Sequence, residues 1–240
     1  MVALGNFFFR FRTTISPFLL LLLLLPGAPV LDDPFVAALV GLLIAALGQV
    51  VRATTIGLEY IVRGGRNHRV YADDLVTEGL FRHSRNPMYV GKFLMVLGAG
   101  VASNRWPALI AITAAYSFMY HAVTLAEEAY LRQKFGAAFE DYCRRVPRWL
   151  PRLAGLAETF SRSEFLWRRV LIKGYSEPLG WTLPIVAIGL YNMSDGAPTL
   201  DDQPYATSTL LGMLGVTLVF CLVSGWLKKF RSPVLQPNDT

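Results

Sequence analysis

Charged residues are scarce in this 240-residue chain, and they are bunched between long uncharged runs. Asp, Glu, Lys and Arg make up only 17% of the sequence, against about a quarter in an ordinary soluble domain. Hydrophobic residues reach 53%, and the mean hydropathy is +0.40. This composition excludes an ordinary soluble domain and indicates a protein with several membrane-spanning helices.

Cysteine and histidine are also rare, which narrows the chemistry. Cys143 is predicted outside the membrane and Cys221 within the last span, so neither a disulfide nor a CxxC metal site is expected. His68, His83 and His121 lack the spacing of metal ligands, and we expect no metal site. The absence of a Gly-x-Gly-x-x-Gly turn, a P-loop and a Gly-x-Ser-x-Gly elbow argues against a nucleotide-binding Rossmann domain and a serine hydrolase.

Six apolar segments approach the length of about 20 residues that a spanning helix needs. They are residues 15–30, 35–51, 88–103, 107–126, 179–193 and 206–227. We therefore predict an all-α, polytopic membrane protein with about six transmembrane helices in three hairpins. Most Lys and Arg residues fall on one side of these spans, which predicts that both termini face the cytoplasm. The net charge of +6 suits anionic lipid head groups, and no nucleic-acid partner is expected.

Beyond the fourth span, the pattern predicts a helix that continues into water and ends at Gly136. A short helix should follow, with Phe139, Tyr142 and Val146 on one stripe, and stop at Pro147. Residues 153–173 combine an apolar face with several arginines, a pattern typical of a helix lying in the membrane interface. We divide the chain into a core, residues 1–152, and a tail, residues 153–240, made of the interfacial helix and a further transmembrane hairpin. The tail is expected to form a substrate wall, an oligomer interface or no part of the site.

Charged and aromatic residues gather at one end of the second hairpin, in a motif split along the chain. Its parts are RNPMYVG at 85–91, EE at 127–128 and RVPRWLP at 145–151. Pro87 suits the first turn of a helix, where free N–H groups favour a carboxylate or phosphate beside Arg85. Arg85 and Tyr89 share a helix face, and Gly91 is expected to leave room for a ligand.

The neighbouring glutamates allow two interpretations. Glu127 and Glu128 either hold an ammonium and a ribose, or form salt bridges with Arg132 and the arginine-rich segment that follows. An arginine for a carboxylate, acids for an ammonium and a ribose, and aromatic rings for a base would together suit S-adenosylmethionine. His121 lies on the same helical stripe as Glu128, either as a proton-transfer group or as a hydrogen-bonded histidine between helices.

These motifs, with LVTEGLFR at 75–82, resemble the isoprenylcysteine carboxyl methyltransferase-like family, and phospholipid methyltransferases share the arrangement. The resemblance covers residues 75–151. It implies a membrane methyltransferase in which cytoplasmic helices after the spans form the cofactor site and the lipidic acceptor enters from the bilayer. The chain departs from the family at Asn86, where histidine is usual, so no proton transfer is expected at that position.

The resemblance also implies roles for single residues. The expected cofactor-binding residues are Arg85, Asn86, Tyr89, Gly91, Glu127 and Glu128. The expected catalytic residues are Arg145, near the methyl acceptor, together with Glu128 and His121, which would help to take a proton from an amine acceptor. The expected substrate-binding residues are Arg82, Arg148 and Tyr142. An arginine such as Arg145 or Arg82 would orient a carboxylate acceptor.

The expected activity is therefore S-adenosylmethionine-dependent methyl transfer to a lipidic or prenylated acceptor, as carboxyl or phosphate O-methylation or amine N-methylation. The alternative is an NADPH-dependent membrane reductase of the sterol or enoyl type, because sterol reductases resemble the same helical layout. The leucine-, alanine- and arginine-rich composition favours a bacterial inner membrane, surrounded by membrane lipids. The sequence carries no signal for an oligomeric state.

Overall fold

The structure, a computed structural model, describes residues 1–59, 70–174, 177–196 and 204–231, and these residues form helices and connecting loops without a β-strand. In chain order the helices are α1 (Val2–Leu19), α2 (Pro34–Leu58), α3 (Pro87–Ala102), α4 (Trp106–Phe135), α5 (Ala137–Arg145), α6 (Leu156–Arg162), α7 (Trp167–Gly174), α8 (Glu177–Gly196) and α9 (Pro204–Arg231). Short 3-10 turns occur at Leu20–Leu24 and Gly79–Arg82.

Four helical stretches of the described residues are long and apolar enough to cross a membrane. They are Val2–Leu24, Pro34–Leu58, Trp106–Phe135 and Tyr205–Lys229. Helix α3 is apolar but shorter, and α8 is not among these four. The predicted all-α membrane fold is therefore confirmed, whereas the number of six spans stays a prediction.

The first span differs from its predicted bounds. We expected residues 15–30, on the leucine run, but the candidate span begins at Val2 and ends at Leu24. The longer helix includes Arg12, whose guanidinium lies 4.4 Å from the ring centre of Phe9. The chain leaves the helix at the other end just before Pro26, which lacks the N–H that a further helical turn needs.

Helices α2 and α3 pack tightly along each other. Asp33 caps α2 by accepting a hydrogen bond from the Phe35 amide at 2.7 Å. Gly41 on α2 faces the backbone of Gly98 on α3 so closely that a Cβ on either would overlap the other helix. Small residues at such a contact let two helical backbones approach without side chains between them.

Helix α1 packs chiefly along α4, whereas the predicted hairpin would place it along α2. Gly5 permits this contact, since a Cβ there would lie 2.8 Å from the Cβ of Ala126 on α4. The loops at the far end of the helices are joined by Asn104, whose side-chain oxygen accepts from the Leu31 amide at 2.8 Å. Helix α8 reaches the same end, where Asn192 donates to the Ser103 carbonyl at 2.7 Å.

The C-terminal end of α4 follows the prediction. Helix α4 ends at Phe135, and Gly136 follows with a φ of 50°, which a residue without a side chain adopts readily. The stripe predicted on α5 is buried as a small separate cluster of Phe139, Tyr142 and Val146. This cluster fixes the start of the arginine-rich segment.

The interfacial helix predicted in the tail is two helices. Helices α6 and α7 are separated at Ser163, which has an extended backbone. The link between them docks on the end of α2, where the Leu166 amide donates to the Gly57 carbonyl at 2.9 Å. Helix α8 contributes Ile185 and Val186 to the same buried core as α2, α3 and α4. The division of the chain at residue 152 remains a prediction.

We expect the substitution Gly41→Ala to destabilise the protein, because the added Cβ would lie 2.7 Å from the Cβ of Ala102. Overpacking of this kind costs about 1–3 kcal/mol. The apparent melting temperature of the purified protein in detergent should fall by several degrees. The matched control is Gly212→Ala on α9, where the new Cβ meets no atom of another described helix or loop within 4 Å. Equal melting temperatures for the two variants would contradict the close packing of α2 on α3.

Candidate functional site

The two distant parts of the split motif lie against each other through their backbones. The Arg85 amide, just before α3, donates to the Pro147 carbonyl at 2.9 Å. The Arg152 amide donates to the His83 carbonyl, also at 2.9 Å. These bonds hold the arginine-rich segment at the end of α5 and after it, residues 145–152, across the start of α3.

Side chains strengthen this junction. The Ser84 hydroxyl donates to the Trp149 carbonyl at 3.0 Å, and the Asn86 side-chain amide donates to the Arg148 carbonyl at 3.1 Å. Asn86 is buried and lies directly before α3. Its side-chain nitrogen therefore positions the arginine-rich segment, while its role towards a cofactor stays a prediction.

A third contribution comes from His83, to which the sequence reasoning gave no role. Its ring is buried, with Nδ1 2.6 Å from the Arg152 carbonyl oxygen and Nε2 2.8 Å from the Thr159 hydroxyl. The ring thus ties the start of the tail to the turn before α3. No residue pattern marks this role, because one of the two partners is a backbone carbonyl.

At the centre of the site, the carboxylate of Glu128 lies between two guanidinium groups. Glu128, near the end of α4, is 4% exposed. Arg148 approaches it with Nε 3.0 Å from Oε1 and Nη2 2.8 Å from Oε2, a two-point contact. Arg85 completes the group, with Nη1 3.3 Å from Oε1 of Glu128. The hydrogen bond to Glu128 raises the pKa of the Arg148 guanidinium above its ordinary value.

This geometry agrees with the salt-bridge interpretation of Glu128, while its role towards a cofactor stays a prediction. The carboxylate forms salt bridges with Arg148 of the arginine-rich segment, and Arg132 pairs instead with Glu140. Arg85 also donates from Nη1 to the Cys143 sulfur at 2.6 Å. The Nε of Arg85 is buried, and it has no hydrogen-bond partner among the described residues.

Glu127, the adjacent carboxylate, belongs to a second group of side chains. The Tyr89 hydroxyl donates to Oε1 of Glu127 at 2.8 Å. Tyr89 also accepts from Nη1 of Arg12 at 3.3 Å, and its ring lies 5.1 Å from that of Tyr120. Helices α1, α3 and α4 therefore meet at one tyrosine hydroxyl.

Arg12 was missed by the sequence reasoning, which gave it no role in the site. The leucine run placed the predicted span at residues 15–30, so Arg12 fell outside it. A signal was nevertheless present, since a cation on a membrane-spanning helix needs a partner. The partner here is the Tyr89 hydroxyl.

Gly91 requires a correction. We expected it to leave room for a ligand, but that space is filled by α2. A Cβ at Gly91 would lie 2.5 Å from Cγ of Arg52 and 2.6 Å from the Gly48 carbonyl oxygen. The missing side chain thus admits the side chain of Arg52, and we leave Gly91 out of the candidate site.

The structure also bears on the expected roles of Tyr142 and His121. Tyr142 is buried, and its hydroxyl donates to the Phe81 carbonyl at 2.8 Å, so it stabilises the fold where a substrate contact was expected. Burial raises the pKa of its hydroxyl. His121 is exposed, which excludes the buried interhelical histidine, and its role in proton transfer stays a prediction.

The two other predicted arginines lie apart from Glu128. Arg145 is exposed on α5, where its Nε donates to the Asp141 carbonyl at 3.3 Å. Arg82 is half exposed, with Nε 3.9 Å from a carboxylate oxygen of Glu78. Their roles towards an acceptor remain predictions.

Residues 36–138, which run from α2 into α5, match the phospholipid methyltransferase family. The Schizosaccharomyces pombe protein-S-isoprenylcysteine O-methyltransferase is 32% identical over 111 residues, 44% of this chain and 45% of that protein. The probable protein-S-isoprenylcysteine O-methyltransferase of Oryza sativa subsp. indica is 28% identical, over 51% of this chain and 65% of that protein. The resemblance to isoprenylcysteine carboxyl methyltransferase-like proteins and phospholipid methyltransferases is therefore confirmed.

A relative with a different printed function is also similar. The nickel-cobalt-cadmium resistance protein NccN of Alcaligenes xylosoxydans xylosoxydans is 31% identical over 136 residues, 56% of this chain and 60% of that protein. The chain thus matches less than two thirds of the length of each of these three relatives. No solved structure gives a significant match.

We expect Glu128→Gln to destabilise the protein strongly, because it removes the negative charge that Arg85 and Arg148 share. Breaking a buried ion pair costs about 3–5 kcal/mol, and the partial exposure of Arg148 should place the loss towards the lower value. The melting temperature in detergent reports the effect.

The control is Glu140→Gln, which breaks the exposed pair with Arg132. A surface pair contributes only about 0–1 kcal/mol. Equal melting temperatures for Glu128→Gln and Glu140→Gln would show that the Glu128 group does not stabilise the fold.

Proposed function

We propose that this chain is an integral membrane methyltransferase that uses S-adenosylmethionine and methylates a lipidic or amphipathic acceptor. The proposal rests on the similarity of residues 36–138 to phospholipid methyltransferases and on the charged group at the end of α4. Because the matched relatives are covered only in part, their printed activity is carried over here as a proposal.

One observation carries the proposal: the buried Nε of Arg85, on a side chain paired with Glu128, finds no hydrogen-bond partner in the part of the chain that the structure describes. A buried donor left unpaired is costly, and a ligand carboxylate would satisfy it. The donor set therefore fits an amino-acid-bearing cofactor. When bound, S-adenosylmethionine would supply an activated methyl group on a sulfonium centre.

The residues of the chain would contribute binding and orientation. Arg85 would hold a ligand carboxylate through Nε, and Glu127 would face the positively charged part of the ligand, with Tyr89 orienting its Oε1. Glu128 is occupied by two guanidiniums, so its part is to keep Arg85 and Arg148 in place. Holding reactants in a fixed geometry away from water accounts for about 7–11 kcal/mol of barrier lowering in favourable cases.

The acceptor is proposed to be a lipidic or prenylated small molecule that enters from the bilayer. Arg145 and Arg82, both accessible at the end of the molecule where Arg148 lies, would orient an anionic group of such an acceptor. We further propose that this end faces the cytoplasm and that the protein resides in a bacterial inner membrane, surrounded by membrane lipids.

The printed name of NccN is that of a nickel-cobalt-cadmium resistance protein. Within residues 1–59, 70–174, 177–196 and 204–231, no three His, Cys, Asp or Glu side chains come together as metal ligands.

The test is calorimetric titration of the detergent-purified chain with S-adenosylhomocysteine and, separately, with NADPH. We expect binding of S-adenosylhomocysteine and none of NADPH. Arg85→Ala should weaken the binding at least about tenfold, because a hydrogen bond to a charged group contributes about 1.5–3 kcal/mol. Melting curves recorded on the same samples ensure that the variant is folded at the titration temperature.

The matched control is Arg162→Ala, which removes an exposed arginine paired with Glu158 and should bind as the wild type does. Unchanged affinity in Arg85→Ala would remove Arg85 from the cofactor site. Binding of NADPH without S-adenosylhomocysteine would identify a reductase instead.

A further inference from the structure

Arg52 is a buried cation that the proposed site does not use. It lies near the end of α2 and is only 3% exposed. Its Nη2 is 2.9 Å from Oε1 of Glu177, at the start of α8. Its Nη1 donates to the Met88 carbonyl, in the first turn of α3, at 3.1 Å. One guanidinium therefore joins α2, α3 and α8.

The local packing is arranged around this side chain. Gly91 has no Cβ, and the aliphatic part of Arg52 passes through the space thus left. Glu177 also approaches α3 directly, since its Oε2 lies 3.8 Å from Nζ of Lys92. The first two turns of α3 are consequently tied to α8 at two points, through the carbonyl of Met88 and through Lys92.

The residue after Met88 is Tyr89, whose hydroxyl donates to Glu127. A movement of the first turn of α3 would shift this hydroxyl relative to α4. Glu177 belongs to the tail, yet its carboxylate determines how Arg52 holds the turn that carries Tyr89.

We propose that Glu177 is a positioning residue: by fixing Arg52 on the Met88 carbonyl, it sets the place of Tyr89 and, given the proposed function, the geometry of the cofactor site. The tail is then part of the working site without touching the cofactor. The range matched to the family, 36–138, does not contain Glu177, so nothing in that match implies this role.

The first test is hydrogen–deuterium exchange of the full-length chain in detergent. In the Glu177→Gln variant, the amides of residues 88–94 should exchange about tenfold faster than in the wild type, and exchange in the other helices should change little. The matched control is Glu158→Gln, which breaks an exposed pair with Arg162 and should leave residues 88–94 as in the wild type. Unchanged exchange in Glu177→Gln, or an equal loss of protection throughout the chain, would overturn the proposal.

A second variant separates positioning from stability. The double substitution Arg52→Met with Glu177→Met replaces the buried pair by apolar side chains, which often preserves stability. We expect a melting temperature close to that of the wild type, but fast exchange at residues 88–94 and about tenfold weaker S-adenosylhomocysteine binding. If the double variant instead shows wild-type exchange at residues 88–94 and wild-type affinity, the pair only stabilises the fold and the positioning role is refuted.

The exchange measurement needs no cofactor. If the wild type does not bind S-adenosylhomocysteine, the proposed function fails, while the exchange of residues 88–94 still decides whether Glu177 positions the first turn of α3.

Discussion

Burial of the Glu128 carboxylate is the constraint on which the rest of the site depends. A carboxylate removed from water is destabilising unless opposite charges and hydrogen bonds compensate it. Here the two compensating groups, Arg85 and Arg148, come from the loop before α3 and the loop after α5. One side chain on α4 thereby brings together chain segments far apart in sequence. The backbone hydrogen bonds between those segments fix their register. In that register both guanidiniums reach the same carboxylate.

The close contact of α2 and α3 has a similar effect on the other side of α3. Gly48 and Gly91 lack side chains where the two backbones meet, and the same gap admits Arg52. Since the helices are this close, the guanidinium reaches the Met88 carbonyl without leaving the protein interior. Helix packing and the placement of a buried charge are thus two results of the same small residues.

The sequence was most informative where a local rule applied. Pro87 at the start of α3, Gly136 at the end of α4 and the apolar stripe of α5 each predicted an element that the structure contains. It was less informative where a polar side chain is satisfied by a backbone carbonyl. His83 and Arg52 both bond to carbonyl oxygens, and every residue has one, so no residue type marks the partner. The charges of the Glu128 group were recognised, but their pairing depended on how the loops fold.

The buried charges also bear on where the functional unit ends. Residues 36–138 match the family, yet Glu128 within this range is paired with Arg148 beyond it, and Arg52 is paired with Glu177 further still. A unit ending at residue 152 keeps Arg148 but loses the carboxylate that faces Arg52. A guanidinium that is 3% exposed would then be left with a single backbone carbonyl beneath α3. The tail therefore completes the charge balance of the region that carries Tyr89, and the division at residue 152, which stays a prediction, separates Arg52 from the carboxylate that faces it.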